Sequence, residues 1–320
     1  MIDLQLAAPL PLTAGGDAMF NRVLLGIDFG SASLAAARWA TRYVALRTHA
    51  ILSHVVPHAE HAGDDADAEN GSGESLHQMT PALAGGLGGF AATLAAQSTR
   101  TLVRYGRPSQ WLSMLADDVG ADLLVLGRRA DANRVRVGEP NVIERAARRT
   151  GASVLVVPEG VAQGPTHIVA AIDESCFAPM VVKVARRLAR LHEVPLTILH
   201  VMSPVVGAYE RVIRTAGRLL GAGAPSKSTE RLPAAVPLPA RIARWLDDLG
   251  RTHNVLGLDR TEVLLGDPAR EITATAATRE ASLVVVGMRG ADDAPFGSIG
   301  SVTRELLTRA PVAVLAVNGL

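Results

Sequence analysis

Glycines at positions 287, 290 and 300, followed by Ser301 and Val302, form a Gly-x2-Gly-x9-Gly-Ser stretch, the chain's best candidate for chemistry. Glycine has no Cβ, so such a stretch lets backbone approach a ligand closely and reach conformations other residues avoid. The apolar run Ser282 to Val286 before it reads as a buried parallel strand, and apolar residues from Val302 to Arg309 recur at helical spacing. A strand, a glycine loop and a helix start, in that order, is where open α/β sheets hold ligands. The first N–H groups of a helix lack internal partners and carry the positive end of its dipole, which suits phosphate, and Ser301 is placed to cap this helix. A bare connection with a serine cap is the plainer reading, but three glycines exceed what a cap requires.

Other reactive groups are sparse. Asp292 and Asp293 are the acids within this loop, and a nucleotide-cleaving enzyme would need them as general base or metal holder. The only lysines, Lys183 and Lys227, do not follow a glycine, so a P-loop is absent. No Gly-x-Gly-x-x-Gly follows the first strand, which leaves a dinucleotide dehydrogenase unsupported. His54, His58 and His61 with Asp64 and Asp65 form the one cluster of metal-ligating types, but His58 and His61 fall in a polar loop that implies no fixed geometry. Cys176, the single cysteine, excludes an internal disulfide and a cysteine zinc site. With no base pattern around it, it is expected to be a small buried or half-buried residue.

The elements that must position these groups occur twice. Arg22 to Asp28 and His167 to Asp173 are apolar strands ending in an acid; Ile51 to Val56 and Leu196 to Met202 are second strands in which His54 answers His200. Thr101 to Pro108 matches Thr261 to Pro268, Asp122 to Gly127 matches Ser282 to Gly287, and Val154 to Val157 matches Val312 to Val317. Helical periodicity is read at Ser33–Leu46, about Pro81–Gln97, Pro108–Val119 and Asn141–Arg149, with a solvated loop at His58–Ser75. Strands alternating with helices predict parallel, doubly wound sheets in two copies, 20–158 and 165–320, joined by a linker at Gly160–Pro165. An insertion, Val205 to Pro239, carries a further predicted helix near Glu210–Leu220.

Both copies, essentially 20–158 and 165–318, resemble the universal stress protein family, and the chain looks like a tandem member. The resemblance implies a five-stranded parallel sheet with helices on both faces in each copy, of the adenine nucleotide alpha hydrolase-like kind. It implies an adenine nucleotide as ligand: ATP first, ADP or AMP as variants, with Mg2+ admissible beside the phosphates. Carried over residue by residue, Asp173 meets the adenine side and Val201 packs near the base. Gly287, Met288, Arg289 and Gly290 form the turn along ribose and phosphates, and Gly300, Ser301 and Val302 hold the phosphates. Family members commonly dimerise, so a tandem chain is expected to pair its two copies, with a homodimer of chains as a further form.

The first copy departs from this pattern. Ala130 replaces the second glycine, the loop to Gly138 is shorter, and Glu139 and Pro140 stand where Ser301 and Val302 do. An acid opposes phosphate at a helix N-terminus and proline removes a donor, so this copy is expected to bind nucleotide poorly or not at all. Arg128, Arg129, Arg134 and Arg136 beside it read as a solvated basic face. The implied function is nucleotide-dependent regulation in stress or growth arrest. The alternatives are a slow ATPase or nucleotidyl-transfer enzyme, and a scaffold that binds no nucleotide.

A formal net charge of +1 argues against nucleic-acid and acidic-membrane partners. No apolar run approaches a membrane span. Met1 to Phe20 has Asp3, no basic n-region, and Pro9 and Pro11 within its apolar part, so no signal peptide is expected and a cytoplasmic location is.

Overall fold

The computed structural model describes residues 19–57, 72–130, 142–202, 259–289 and 299–318. The predicted Glu210–Leu220 helix, the His58–Asp65 cluster, Arg134, Arg136, Gly138–Pro140, Gly290, Asp292 and Asp293 lie outside them. The first half runs β1 (Arg22–Gly26), α1 (Ser31–Tyr43), β2 (His49–Val56), α2 (Ser72–Ala91), β3 (Ser98–Tyr105), α3 (Pro108–Asp118), β4 (Leu123–Arg128), α4 (Val142–Arg149) and β5 (Ser153–Pro158). The second runs β6 (Ile168–Ile172), α5 (Ala178–His192), β7 (Leu196–Met202), β8 (Asp259–Leu265), α6 (Pro268–Thr278), β9 (Leu283–Gly287), α7 (Ser301–Arg309) and β10 (Ala313–Val317).

The described strands all join one sheet in the order β3-β2-β1-β4-β5-β10-β9-β6-β7-β8. Within each half every pairing is parallel. The halves meet antiparallel, with Val314 opposite Val156, Leu315 opposite Leu155 and Ala316 opposite Val154. Helices cover both faces, so strand residues of either parity are buried and the strands read as continuous apolar runs. In β9, Leu283 and Val285 face the core under α1, α2 and α5, while Val284 and Val286 face the core under α3, α4, α6 and α7. Each core runs through both halves.

Two elements exceed their apolar signal. β3 continues through Ser98 and Tyr105 because its ladder with β2 spans the whole strand at the sheet edge, where side chains need not be apolar. α2 begins at Ser72 and ends at Ala91, so Pro81 lies inside it instead of opening it. An interior proline forfeits a backbone bond, and burial of Leu87, Phe90 and Ala91 holds the helix in place.

The linker is tied down. Trp39 donates its indole N–H to the Gln163 carbonyl at 2.7 Å, and Tyr43 lies so close to Gly164 that a Cβ there would sit 2.6 Å from the ring. Beyond it, Thr166 donates its N–H to Ser282 Oγ and its hydroxyl to the Glu280 carbonyl, both at 2.8 Å. Across the join, Asn318 Nδ2 donates to the Gly151 carbonyl at 2.7 Å. Arg128, expected on a solvated face, is instead buried and donates to the Ala310 carbonyl of the other half. It is the last residue of β4, and the antiparallel join sets that strand end beside the C-terminus of α7.

Two outcomes test this account. Leu315→Ala, at a site with no exposure on the central strand pair, removes a side chain from a core shared by both halves. It should lower unfolding free energy by roughly 2–5 kcal/mol in denaturant titration, and a loss under about 1 kcal/mol would mean the join is not core. His167 hydrogen-bonds Thr197 Oγ1 through Nε2 at 2.9 Å. Burial, and then the nearby Arg279, lower its pKa from the ordinary 6.5, against a smaller opposing pull from Glu262. The unfolded chain therefore takes this proton at higher pH than the fold does. The stability involved is complete above about pH 6.5 and is lost as pH falls below it. His167→Gln should flatten the stability profile between about pH 7 and 5, and an unchanged slope would refute the assignment.

Candidate functional site

In each half the strand order reverses between the first and fourth strands, which opens a crevice at their carboxyl ends. In the second half this crevice, between β6 and β9, is a cleft of about 490 Å³, within the range that holds small-molecule ligands. Ile172, Leu199 and Val286 form its apolar floor, and Pro268 and Ile272 of α6 form one wall. Asp173, Ser175 and the first turns of α5 make the opposite side. Gly287, Arg289 and residues 299–303 complete it with the end of β9 and the start of α7.

Local bonding explains how these groups are held. Asp173 accepts the Ser175 N–H at 3.1 Å, a short turn that carries the chain from β6 into α5. At Gly287 an added Cβ would lie 3.0 Å from the Arg289 carbonyl oxygen, so the turn after β9 folds back closely on this position. Gly300 donates its N–H to the Met288 carbonyl at 3.0 Å, and Thr303 donates its hydroxyl to the Gly287 carbonyl at 2.7 Å. Together they fasten the start of α7 to the end of β9. Gly300 occupies the cap position with φ −58° and ψ 144°, and Ser301 is the first helical residue. The expected Ser301 cap is thus corrected, because the chain turns into the helix one residue earlier. The N–H groups of Ser301, Val302 and Thr303 fall in the first turn, where helix geometry supplies no carbonyl. Asp173 and Arg289 are the charged residues of the lining, one of each sign.

Of the residues singled out from the sequence, Asp173, Val201, Gly287, Arg289, Gly300, Ser301 and Val302 line this cleft together. Met288 is placed elsewhere: its side chain lies in the core beneath α7, where it is 3% exposed. Gly290 lies outside the described residues. Ser175, Ile272, Ile299 and Thr303 also line the cleft and were missed. Aligning the two copies could have found Ile272, which stands where the first half has Leu112. Nothing local signals Thr303.

The corresponding strand ends in the first half are more closely packed. A Cβ on Gly26 would lie 2.7 Å from Leu126 and 3.3 Å from Leu112, so both side chains lean over the end of β1. The second half has Ala171, Val286 and Ile272 at these places. α1 begins at Ser31, sooner after Asp28 than α5 begins after Asp173, and its first turn presses on the end of β4. A Cβ on Gly127 would come within 2.4 Å of the Ala32 backbone, whereas at Gly287 the nearest group of α5 is Val181, at 3.7 Å. Asp28 is engaged within its own loop by the Gly30 N–H at 2.8 Å and by the Ser33 hydroxyl. The Ala130 N–H, at the position of Gly290, donates to Glu159 at 3.1 Å, and the Ser31 hydroxyl donates to the same carboxylate. The Ser31 bond first, then Ala130 and the charge of Arg129, hold the Glu159 carboxyl below the usual range. A carboxylate of the chain itself thus takes donors that an anion would use.

His54 and His200 play matching structural parts. Each hydrogen-bonds through Nδ1 to the carbonyl ending the neighbouring strand, Ile27 at 2.7 Å and Ile172 at 3.0 Å. Cys176 is exposed, not buried as expected, because it sits in the turn between β6 and α5 outside both cores. No helix among the described residues is long and apolar enough to cross a membrane.

The sequence profile of the universal stress protein family matches the chain twice, over residues 19–158 and 165–318. Universal stress protein Rv2623 of Mycobacterium tuberculosis is 28% identical over 163 residues, covering 47% of this chain and 47% of that one. A universal stress protein of Mycolicibacterium smegmatis is 30% identical over 152 residues, 48% of each chain. The chain thus spans about half the length of these curated relatives. A universal stress protein from Archaeoglobus fulgidus DSM 4304 superposes with a TM-score of 0.56 at 15% identity, covering 93% of this chain and 99% of that one, a likeness of fold. Matched by the family profile in both halves, the chain belongs to the universal stress protein family.

Proposed function

We propose that this chain is a regulatory protein that binds one adenine nucleotide, ATP in the first instance and ADP or AMP as variants, in the cleft of its second half. The observation that carries the reading is the joining of an apolar floor to a glycine-lined helix start at the switch point of the sheet. The floor of Ile172, Leu199 and Val286 offers a place for a base, with Val201 beside it and Asp173 on the adenine side. Gly287, Arg289 and Gly290 would follow the ribose and phosphates. The N–H groups of Ser301 and Val302 would receive the phosphates, since a helix start supplies donors and a favourable dipole. Arg289 adds positive charge to the lining, and Mg2+ would accompany the phosphates.

In this reading the first half binds nucleotide poorly or not at all, which is supported by Glu139 and Pro140 in its loop and by the close packing of Leu126, Leu112 and the start of α1 on its strand ends. Pairing of β5 with β10 would supply within one chain the partnership that dimers of single-copy members make, and a homodimer of chains would use other surfaces. The protein would act in the cytoplasm during stress or growth arrest, with occupancy of the cleft as its signal.

Nucleotide extracted from purified protein, together with calorimetric titration, tests the site. The wild type should bind ATP at one per chain, and Ser301→Glu, which sets a charge against the phosphates, should weaken it at least tenfold, about 1.4 kcal/mol. Absence of bound nucleotide and of binding to added ATP would overturn the proposal in favour of a scaffold. Two nucleotides per chain would overturn the assignment of the first half.

A further inference from the structure

We propose that occupancy of the second half's cleft is transmitted to the first half by α7, with Arg128 and α4 as the receiving end. This rests on the nucleotide reading above and adds where the signal goes. α7 is a single helix of 9 residues with a functional contact at each end. Its first turn, Ser301 to Thr303, walls the cleft and is fastened to β9 through Thr303 and Gly287. Its closing residue, Ala310, gives its carbonyl to the Arg128 guanidinium of the first half. Along its exposed side, Arg304 lies 3.8 Å from Glu144 of α4, whose carboxylate also accepts from Arg148 at 2.7 Å.

These contacts have consequences together that none has alone. Arg128 ends β4 and Val142 begins α4, so the first-half loop between them is flanked on both sides by residues or elements bonded to α7. Arg128 is 8% exposed, and a buried guanidinium that loses its acceptor has no water to replace it. A short helix moves as a unit, since its N–H to carbonyl bonds tie each turn to the next. A ligand that draws the N-terminus of α7 toward its phosphates must therefore disturb the Ala310 and Arg304 contacts or carry the first-half residues with it. The arrangement is one-sided. Met288 stands in the second half where Arg128 stands in the first, so α4 has no guanidinium at its own C-terminus from that position. The half with the cleft carries the rod, and the half with the more closely packed strand ends carries the charged receiver.

Reciprocity makes the proposal measurable: a contact that senses the ligand must also alter its affinity. Amide hydrogen exchange in α4 should slow when ATP is added to the wild type. Arg304→Gln, an exposed change that leaves the cores untouched, should reduce that slowing. Arg128→Met, which copies the residue of the second half, should abolish it and change ATP affinity at least about threefold, although position 128 is outside the cleft. If ATP binds the wild type and exchange in α4 is unchanged, the coupling is refuted while the nucleotide site stands. If ATP does not bind at all, both fail. Should Arg128→Met not fold, the wild type and Arg304→Gln decide: equal slowing of α4 in the two overturns the Arg304–Glu144 route.

Discussion

The antiparallel meeting of β5 and β10 is the constraint on which the rest of this molecule depends. Each half is a parallel sheet whose carboxyl edge is the place for a ligand. Joining two such sheets through a parallel pair would have set both carboxyl edges on one side. The observed pairing, Leu155 opposite Leu315, sets them on opposite sides. It also brings the C-terminus of a helix in one half to the carboxyl edge of the other, and Arg128 reaches Ala310 for that reason. Burial makes the join permanent: both cores pass through it, and the linker is held by Trp39, Tyr43 and Thr166.

Within that frame, the difference between the two crevices comes from small changes in volume and chain path. Gly26, Leu126 and Leu112 stand where the second half has Ala171, Val286 and Ile272. The loss of one methyl on the strand lets two leucine side chains close over it. A shorter turn after Asp28 draws the first turn of α1 against Gly127, within contact distances only a glycine permits. Glu159 then takes the N–H and hydroxyl left at the rim. The two halves therefore differ in packing at the ends of their first and fourth strands as well as in charge.

Much of this was legible in the sequence because buried parallel strands write their burial directly as apolar runs, and duplication wrote them twice. β7 was read at its observed bounds, and the acid after β1 and β6 was recognised from its repetition. Seven of the nine residues chosen for the site line one cleft: the glycine turn and helix start leave a mark of their own in the sequence, whereas Asp173 and Val201 came from the family resemblance. What was not legible depends on partners far along the chain. Arg128 looks like any loop arginine until Ala310 is beside it. Met288 is buried in the core beneath α7, and the Thr303 hydroxyl meets the Gly287 carbonyl, contacts that only the folded chain brings together. The length of α2 could not be read through Pro81, since a proline signals a helix start more often than an interior position.

Tandem duplication within one chain permits a division of labour that two identical subunits cannot have. In a symmetric dimer, any residue that fills one crevice fills both, and any arginine placed on one partner's helix is placed on the other's. Here the halves share a core yet differ residue by residue. Leu126 packs closely on Gly26 in one half while Ala171 and Val286 line a cleft in the other, and Arg128 faces Ala310 while Met288 is apolar. The first half retains its sheet, helices and acid, so its folding contribution is intact. The shared core requires both halves to persist, whatever each does at its own strand ends.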